Sequence, residues 1–321
     1  RALRERGHNA YLLDAFLALE KAPENLVDVF TLPGGGLEIA TGIQTSEPDL
    51  EALWASRPGD SPSFLGPNVL ELCRLADITF LALHGGLGEN GKLQAAFDTL
   101  GIRYTGPNSL GCALSMNKGV TKDLFHSSGI PTPYGTHISR KDKDISLASL
   151  QLPLPLVIKP CSGGSSIGVH FAYTEEEYKE AMRLSFLREE EVVIEPFIDA
   201  REYACGIFDG QALPLVEIIP DGGVFDYVHK YQSGASSEIC PATSLDAETT
   251  KAIQETALQA AKALRLDVYC RADFLVDRST GQYYCLEVNS LPGMTSASLL
   301  PKAAAAAGYD YGEFCEKIIE K

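Results

Sequence analysis

Four polar side chains near the carboxyl end of the chain have the chemistry of a metal site: Arg271, Asp273, Glu287 and Asn289. Apolar runs predict two neighbouring strands, 269–276 and 282–288, and each polar pair is spaced by two. Side chains two apart point to one face of a strand, so the four should converge. Carboxylate and amide oxygens suit Mg²⁺, and a guanidinium suits a phosphate or a developing oxyanion. The alternative is a solvated strand face with salt bridges, which the intervening apolar residues disfavour.

A glycine- and serine-rich segment, residues 161–168, follows a predicted strand that ends at Lys159 and Pro160. Its flexible backbone and hydroxyl groups are what a phosphate cradle requires. It is not a P-loop, because no Gly-Lys-Ser/Thr closes it and no helix begins directly after its last glycine. A simple hairpin turn remains the alternative.

A second glycine-rich segment, residues 84–91, lies between a predicted strand at 78–83 and a predicted helix at 92–100. Ligands bind at the carboxyl ends of strands in open α/β sheets, so the segment is a candidate binding loop. The alternative is an ordinary strand-to-helix turn in which His84 is only a cap.

The amino-terminal region that carries this loop has the pattern of an open parallel α/β domain. Strands are predicted at 10–13 and 78–83, and helices at 65–75 and 92–100. A helix over residues 1–6 precedes strand 10–13, and a strand fed by a helix implies an earlier strand. We expect that strand upstream of Arg1.

The rest of the chain mixes strands and helices, as in an α+β fold. Asp209-Gly210 is a strong hairpin signal between two apolar runs. The predicted helices are 118–128, 175–187 and 246–264, and the predicted strands are 154–159, 191–197, 203–208, 212–219, 269–276 and 282–288. We predict domains at 1–116, 117–200 and 201–321.

Composition favours a small-molecule partner. A net charge of -16 without a Lys/Arg cluster disfavours nucleic acid, although local lysines and metal ions can still accommodate an anion. The longest apolar stretches, 78–83 and 303–307, fall far short of the roughly 20 residues of a membrane span, so we expect a soluble protein. Eight cysteines without CxxC spacing indicate reduced core thiols rather than a metal or disulfide framework.

Seven segments, taken together and in order, resemble the D-alanine–D-alanine ligase family. They are HGGLGENGKLQ (84–94), GCALSMNK (111–118), VIKPCSGGSSIGV (157–169), EYACGIF (202–208), FDYVHKY (225–231), CRADFLV (270–276) and EVNSLPGMTSASLLP (287–301). The resemblance covers nearly the whole chain and implies a three-domain ATP-grasp fold. Val228-His229 departs from the Glu-Ala that many relatives carry.

The resemblance implies that ATP lies between the second and third regions. Lys118 and Lys159 would contact its phosphates, Glu195 to Ile198 the adenine, and Glu202 the ribose. The full implied ATP set is Lys118, Lys159, Ser166, Glu195, Pro196, Phe197, Ile198, Glu202 and Lys230. Asp273, Glu287 and Asn289 would hold two Mg²⁺ or Mn²⁺ ions, which agrees with the metal site read from the strands.

The implied reaction joins two D-alanines for peptidoglycan precursor synthesis. The first carboxylate attacks the γ-phosphate, and the second amine attacks the resulting acyl phosphate, with catalysis by positioning and charge neutralisation. Arg271 and the Gly293 N–H would stabilise the oxyanion. His84, Glu89, Ser298 and Leu299 would bind the substrates, the last two at the terminal carboxylate.

Ser165 and Tyr231 match family residues that close a mobile loop, here 222–241, over the site. Tyr231 favours an amine over D-lactate as second substrate. A Ser-x-Glu segment whose glutamate joins these residues is expected upstream of Arg1. D-alanyl-D-serine synthesis and a catalytically silent ATP-binding module are the competing interpretations. The resemblance further implies a cytoplasmic homodimer that associates through its first domain.

Overall fold

A computed structural model describes residues 1–19, 21–36, 49–57, 62–164, 167–220 and 236–321. The chain forms two compact units. The first contains residues 1–81, 96–105 and 310–321, and the second contains 82–95 and 106–309. The predicted division of the chain at 116 and 200 stays a prediction.

Twelve α-helices lie within the described residues. They are α1 Ala2–Glu5, α2 Leu50–Ser56, α3 Val69–Leu75, α4 Gly86–Glu89, α5 Lys92–Leu100, α6 Ser109–Met116, α7 Lys118–Ser127, α8 Leu147–Leu150, α9 Glu175–Arg188, α10 Ala247–Ala263, α11 Leu299–Ala306 and α12 Tyr311–Ile319. Short 3₁₀ turns occupy Leu26–Thr31 and Arg140–Asp142. No helix among these is long and apolar enough to cross a membrane.

Ten strands in the described part of the second unit form two antiparallel sheets. They are β1 Thr136–Ser139, β2 Leu156–Pro160, β3 His170–Ala172, β4 Glu191–Pro196, β5 Ala200–Phe208, β6 Gln211–Ala212, β7 Val216–Pro220, β8 Ser236–Ile239, β9 Tyr269–Asp277 and β10 Tyr283–Asn289. The small sheet has the order β1-β4-β2-β3. The large sheet has the order β10-β9-β5-β7-β8, with β6 paired to β5.

Helix α9 covers the small sheet. The Thr174 hydroxyl caps it by accepting a hydrogen bond from the Glu177 N–H, and three glutamates follow in the first turn, where the helix dipole favours negative charge. Its apolar face buries Tyr178 and Phe186 against Ile158 of β2. This packing fixes β2, whose last residues carry Lys159 into the site.

Helix α10 packs on the large sheet in the same way. Asp246 caps it by accepting from the Thr249 N–H at 2.7 Å. Ile253 and Ala257 are fully buried in the same core as Phe274 of β9. A core on one face leaves the alternate side chains of β9 free to be polar, and these include Arg271 and Asp273.

The turn at Asp209-Gly210 confirms the hairpin signal. Both residues have left-handed φ angles, 49° and 72°, as a two-residue turn between right-twisted strands requires. The turn pairs Phe208 with Gln211 in adjacent strands β5 and β6.

The predicted strand at 10–13 is wrong, since no ladder forms there. The chain is held instead by isolated contacts such as the Leu12 N–H to the Gly35 carbonyl at 2.7 Å. The predicted strand at 78–83 makes one parallel bridge, Thr79 with Tyr104. The described part of the first unit therefore shows a single parallel pairing.

All eight cysteines are free thiols, as predicted. Seven are buried and Cys240 is half-buried. They pack as small apolar residues, so their scattered spacing reflects core positions.

Candidate active site

A cavity of about 780 Å³ opens between the two sheets of the second unit. Its walls include Lys159 of β2, Phe171 of β3 and Glu195 of β4 from the small sheet. From the large sheet they include Glu202 of β5 and Glu287 of β10. The volume is in the range of small-molecule sites, and the walls carry both signs of charge.

The glycine-rich segment 161–168 joins β2 to β3, which are antiparallel neighbours. It is therefore a hairpin loop, and its described part also lines the cavity at Ser162, Gly163 and Gly164. The Lys118 ammonium donates to the Gly163 carbonyl at 2.7 Å. A hairpin loop that lines the cavity can also cradle an anion, so the two interpretations of this segment do not exclude each other.

Lys118 begins helix α7 and lies between the loop and the acidic wall. Asn117 caps the helix by accepting from the Val120 N–H. The Lys118 Nζ is 3.5 Å from Oε2 of Glu287, and both side chains are largely buried. A cation held beside a carboxylate in this way can bridge a phosphate to a metal site.

Glu195 is buried between two lysines. Its Oε2 lies 2.7 Å from Nζ of Lys122, and its Oε1 accepts a hydrogen bond from Lys159. Burial opposes ionisation of Glu195, but the two lysines outweigh it and lower the pKa of this carboxyl.

The residues predicted at the adenine edge, Pro196, Phe197 and Ile198, all line the cavity. The Phe197 ring meets that of Phe171 edge-to-face, with centroids 5.8 Å apart. Such a pair offers a flat apolar surface to an aromatic base. Glu202, on β5, also lines the cavity, and its predicted contact with the ribose stays a prediction.

The four polar residues of β9 and β10 do converge. The strand register sets Glu287 opposite Asp273 and Asn289 opposite Arg271, after an irregularity between Cys285 and Glu287. Arg271 donates twice to Asp273, from Nε to Oδ1 at 2.7 Å and from Nη2 to Oδ2 at 2.8 Å. Asn289 donates from Nδ2 to Asp273 Oδ2 at 2.9 Å.

The donor set of this cluster fits a hard divalent cation. Two carboxylates and an amide oxygen on adjacent strands are the ligand types that Mg²⁺ takes, with further ligands from phosphates and water. Within the described ranges, no three His, Cys, Asp or Glu side chains gather closely enough to hold a metal alone.

Glu89 binds the backbone that follows β10. Its Oε1 accepts from the Leu291 N–H at 3.0 Å, and its Oε2 accepts from the Gly85 N–H at 2.7 Å. His84 Nδ1 lies 2.9 Å from the Leu291 carbonyl oxygen and 3.2 Å from Glu89. We name the contacts of Glu89 and His84 with Gly85 and Leu291 the Glu89 clasp.

The clasp borders a small cavity at the other end of the site. His84 and Glu89 line it together with Lys118, Glu287 and Asn289. Glu89 is only 4% exposed and already accepts backbone hydrogen bonds. These hydrogen bonds hold the backbone at Gly85 and Leu291 in place. The predicted role of Glu89 in substrate binding stays a prediction.

Gly293, Ser298 and Leu299 lie together where β10 leads into α11. Ser298 is the first residue before the helix, and its hydroxyl lies 2.8 Å from that of Thr295. A Cβ at Gly293 would be 2.9 Å from the Ser298 Oγ, so the two chain segments approach closely. The predicted oxyanion and carboxylate contacts are adjacent in space.

Four predicted site residues lie outside the residues that the structure describes: Ser165, Ser166, Lys230 and Tyr231. The same holds for most of the predicted loop 222–241. Their roles stay predictions.

Sequence reasoning missed Lys122 and Leu291. The spacing of Lys118 and Lys122 by four residues in a helix was a usable signal, because it places both on one face. The role of Leu291 rests on its backbone, which leaves no signal in the sequence.

The fold and the site define an ATP-dependent ligase of the ATP-grasp class. Residues 38–107 match the description "D-ala D-ala ligase N-terminus", and residues 124–320 match "D-ala D-ala ligase C-terminus". The chain belongs to the D-alanine–D-alanine ligase family.

Individual relatives agree with this assignment. A D-alanine–D-alanine ligase of Pediococcus pentosaceus is 37% identical over 321 residues, covering 99% of this chain and 89% of the relative. The crystal structure of a Bacillus anthracis D-alanine–D-alanine ligase complexed with ATP has a TM-score of 0.69 and 36% identity, covering 79% of this chain and 81% of that one. A D-Ala:D-Ser ligase of Enterococcus faecalis has a TM-score of 0.68 and 32% identity, with 76% and 67% coverage.

Proposed function

We propose that this chain joins two D-alanine molecules to D-alanyl-D-alanine at the expense of ATP, for peptidoglycan precursor synthesis. The observation that carries the proposal is one cavity that is lined by Lys118, Lys159 and Glu287, the last of which belongs to the Asp273–Glu287–Asn289 cluster. That arrangement suits a nucleoside triphosphate bound with divalent cations. Family membership supplies the substrates.

The bound ATP presents its γ-phosphate to the carboxylate of the first D-alanine. A carboxylate oxygen attacks phosphorus, the bond to the bridging oxygen of ADP breaks, and an acyl phosphate forms. Lys118 and Lys159 offset the charge of the phosphates as it shifts toward ADP. Asp273, Glu287 and Asn289 would hold two Mg²⁺ or Mn²⁺ ions, which neutralise phosphate charge when bound.

In the second half-reaction the amine of the second D-alanine attacks the acyl carbon. The tetrahedral intermediate carries an oxyanion, which Arg271 and the Gly293 N–H stabilise. The nitrogen gives up a proton, the bond between the acyl carbon and the phosphate oxygen breaks, phosphate leaves, and the peptide bond remains. Ser298 and the Leu299 N–H orient the terminal carboxylate, which fixes the amine for attack.

The decisive assay measures phosphate release from ATP with D-alanine, D-serine or D-lactate as the second substrate, together with the identity of the product. We expect release that depends on D-alanine and yields D-alanyl-D-alanine. Glu287→Gln is the matched variant, because it keeps the shape and removes a carboxylate.

Other outcomes of this assay assign other functions. A product formed faster with D-serine indicates the activity named for the Enterococcus relative. ATP binding without phosphate release for any of the three substrates indicates a silent binding module and contradicts the proposal.

We also propose a cytoplasmic homodimer. Eight free thiols suit a reducing compartment. The dimer follows from the family, and sedimentation equilibrium at micromolar concentration tests it. A monomer at all concentrations would contradict it.

A further inference from the structure

A buried lysine with no assigned role stands behind the nucleotide cavity. Lys122 lies on helix α7, one turn after Lys118, and is 3% exposed. It contacts Glu195, which lines the cavity together with Lys159. Lys122 is not among the lining residues, so Glu195 separates it from the cavity.

The ammonium of Lys122 is held among three oxygens of the protein. It lies 2.7 Å from Glu195 Oε2, 2.6 Å from the Pro133 carbonyl oxygen and 3.4 Å from the Thr132 hydroxyl. Because this side chain is buried and does not line the cavity, its ammonium is not available to a ligand there. Lys122 is a fixed counter-ion rather than a ligand-binding group.

Lys159 differs from Lys122 in this respect. Across the described ranges, Glu195 is the partner that its ammonium contacts, and the same lysine borders the cavity. Lys159 can therefore contact a nucleotide in the cavity, whereas Lys122 cannot.

The pair of lysines also decides the charge of Glu195. A buried carboxylate without partners would take up a proton, because burial penalises the charged form. Lys159 and Lys122 are the charged groups that face Glu195, and with both present its pKa stays below the ordinary value. Burial lowers the pKa of Lys122 itself, and Glu195 offsets part of this effect.

We propose that Lys122 is a positioning residue that sets the preference of this site for a 6-aminopurine nucleotide, by holding the Glu195 carboxylate ionised and in place at the cavity wall. The proposal rests on ATP being the nucleotide of the proposed function. An ionised carboxylate can only accept hydrogen bonds. It therefore accepts from the 6-amino group of adenine and repels the 6-oxo group of hypoxanthine or guanine.

The test compares ATP with inosine triphosphate, which differs at the 6-position of the base. The enzymes are the wild type, Lys122→Met, Glu195→Gln and the double variant. Lys179→Met is the control, because Lys179 is an exposed lysine of α9 paired with Glu175. KM and kcat for each nucleotide are measured at saturating D-alanine, and binding is measured by calorimetry without D-alanine.

We expect Lys122→Met to raise KM for ATP by about tenfold, which corresponds to the loss of one well-made hydrogen bond. The kcat at saturating ATP should stay within about twofold, because the change lies at the base and not at the phosphates. KM for inosine triphosphate should change little, so the ratio of the KM for inosine triphosphate to the KM for ATP should fall. Glu195→Gln should lower this ratio too, since an amide can also donate a hydrogen bond to a 6-oxo group.

The double variant tests whether Lys122 acts through Glu195. If it does, Lys122→Met has no further effect on nucleotide preference when Glu195 is already Gln. This comparison stands even if Lys122→Met alone does not fold, because the double variant leaves no unpaired buried charge at either position.

Two results would overturn the proposal. One is an equal rise in KM for both nucleotides, which assigns Lys122 a purely structural role. The other is an effect of Lys122→Met in the Glu195→Gln background as large as in the wild type. If the wild type binds ATP in preference to inosine triphosphate but forms no dipeptide, the proposed function fails while this proposal stands.

Discussion

At the scale of single residues, Asp273 is held by its neighbours before any metal arrives. Arg271 and Asn289 together donate three hydrogen bonds to its two oxygens. A divalent cation has to compete with the Arg271 guanidinium for this carboxylate. The ion pair therefore compensates a buried charge and orients the Asp273 carboxylate.

Asp273→Asn should abolish most turnover, because the amide removes the charge that the cation needs. We expect kcat to fall at least about a hundredfold. A steady-state assay over a Mg²⁺ titration measures this, with Mn²⁺ binding followed by electron paramagnetic resonance. Glu255→Gln, an exposed change on α10, is the control. Unchanged Mn²⁺ affinity with bound nucleotide would contradict the metal assignment.

The Glu89 clasp makes a second prediction at this scale. Glu89→Gln places an amide N–H₂ against one of two backbone N–H donors, so one hydrogen bond is lost. The unsatisfied donor costs about 1–3 kcal/mol, which corresponds to a fall in kcat of about fivefold to 150-fold if the Gly293 segment shifts.

Steady-state kinetics test this prediction. KM for ATP should stay unchanged, because the residues predicted to contact adenine line the large cavity and Glu89 does not. A rise in KM for ATP with an unchanged kcat would show that Glu89 acts elsewhere.

At the scale of elements, helices with local signals were predictable. Helix 92–100 was predicted with the bounds that it has, and α10 differs by one residue at each end because Asp246 is its cap. The hairpin at Asp209-Gly210 followed from the turn residues alone. Residues adjacent in the sequence, such as the helix cap and the turn pair, are sufficient to specify these elements.

Elements that depend on distant partners were harder to predict. Residues 10–13 have the composition of a strand, yet they form no ladder in the structure. A strand needs a neighbour to pair with, and composition does not supply one. The same limit applies to the site: the convergence of Asp273 and Glu287 followed from strand spacing, whereas Lys122 needed the packing of α7 on β4.

The cap of α9 offers a stability test of such local signals. Thr174→Ala removes the acceptor for the Glu177 N–H and should reduce the free energy of unfolding by about 1 kcal/mol. Thr174→Ser keeps the hydroxyl and should retain most of the free energy of unfolding. Urea unfolding followed by circular dichroism measures both. Equal stability of all three proteins would contradict the capping role.

At the scale of the whole molecule, several carboxylates have lowered pKa values in the folded state. For Glu195, burial acts to raise the pKa, but Lys159 and Lys122 outweigh this effect and lower it. In Asp246 the backbone N–H of Thr249 is the main cause, and in Asp277 it is the Ser279 hydroxyl. Each group stabilises the fold above its unfolded pKa, and that stability is lost as pH falls through the folded value.

We therefore expect stability that is constant from neutral pH down to about pH 5 and declines below about pH 4, where the unfolded carboxyls protonate. Thermal unfolding midpoints measured between pH 7 and pH 3 test this. Glu195→Gln should flatten the decline. A midpoint that does not change down to pH 3 would contradict the assignment.

Thiol accessibility is a second property of the whole molecule. Burial raises the pKa of Cys205 to about 12 and that of Cys161 to about 11, so these thiols are unreactive at neutral pH. Ellman's reagent should react slowly with the native protein, first at half-buried Cys240, and should detect all eight thiols in denaturant. Cys240→Ser should remove the fastest phase, and an unaltered time course would be inconsistent with this order.

The Glu89 clasp joins residues that are 202 positions apart in the chain. A ribosome that has just added His84 and Glu89 still has to translate 202 positions before it reaches Leu291, whose backbone they contact. The Glu89 clasp cannot form during translation until Leu291 has been added. A nascent chain stalled before Leu291 would hold the lysines, the glycine-rich hairpin and all of β10, yet lack the backbone that the clasp secures.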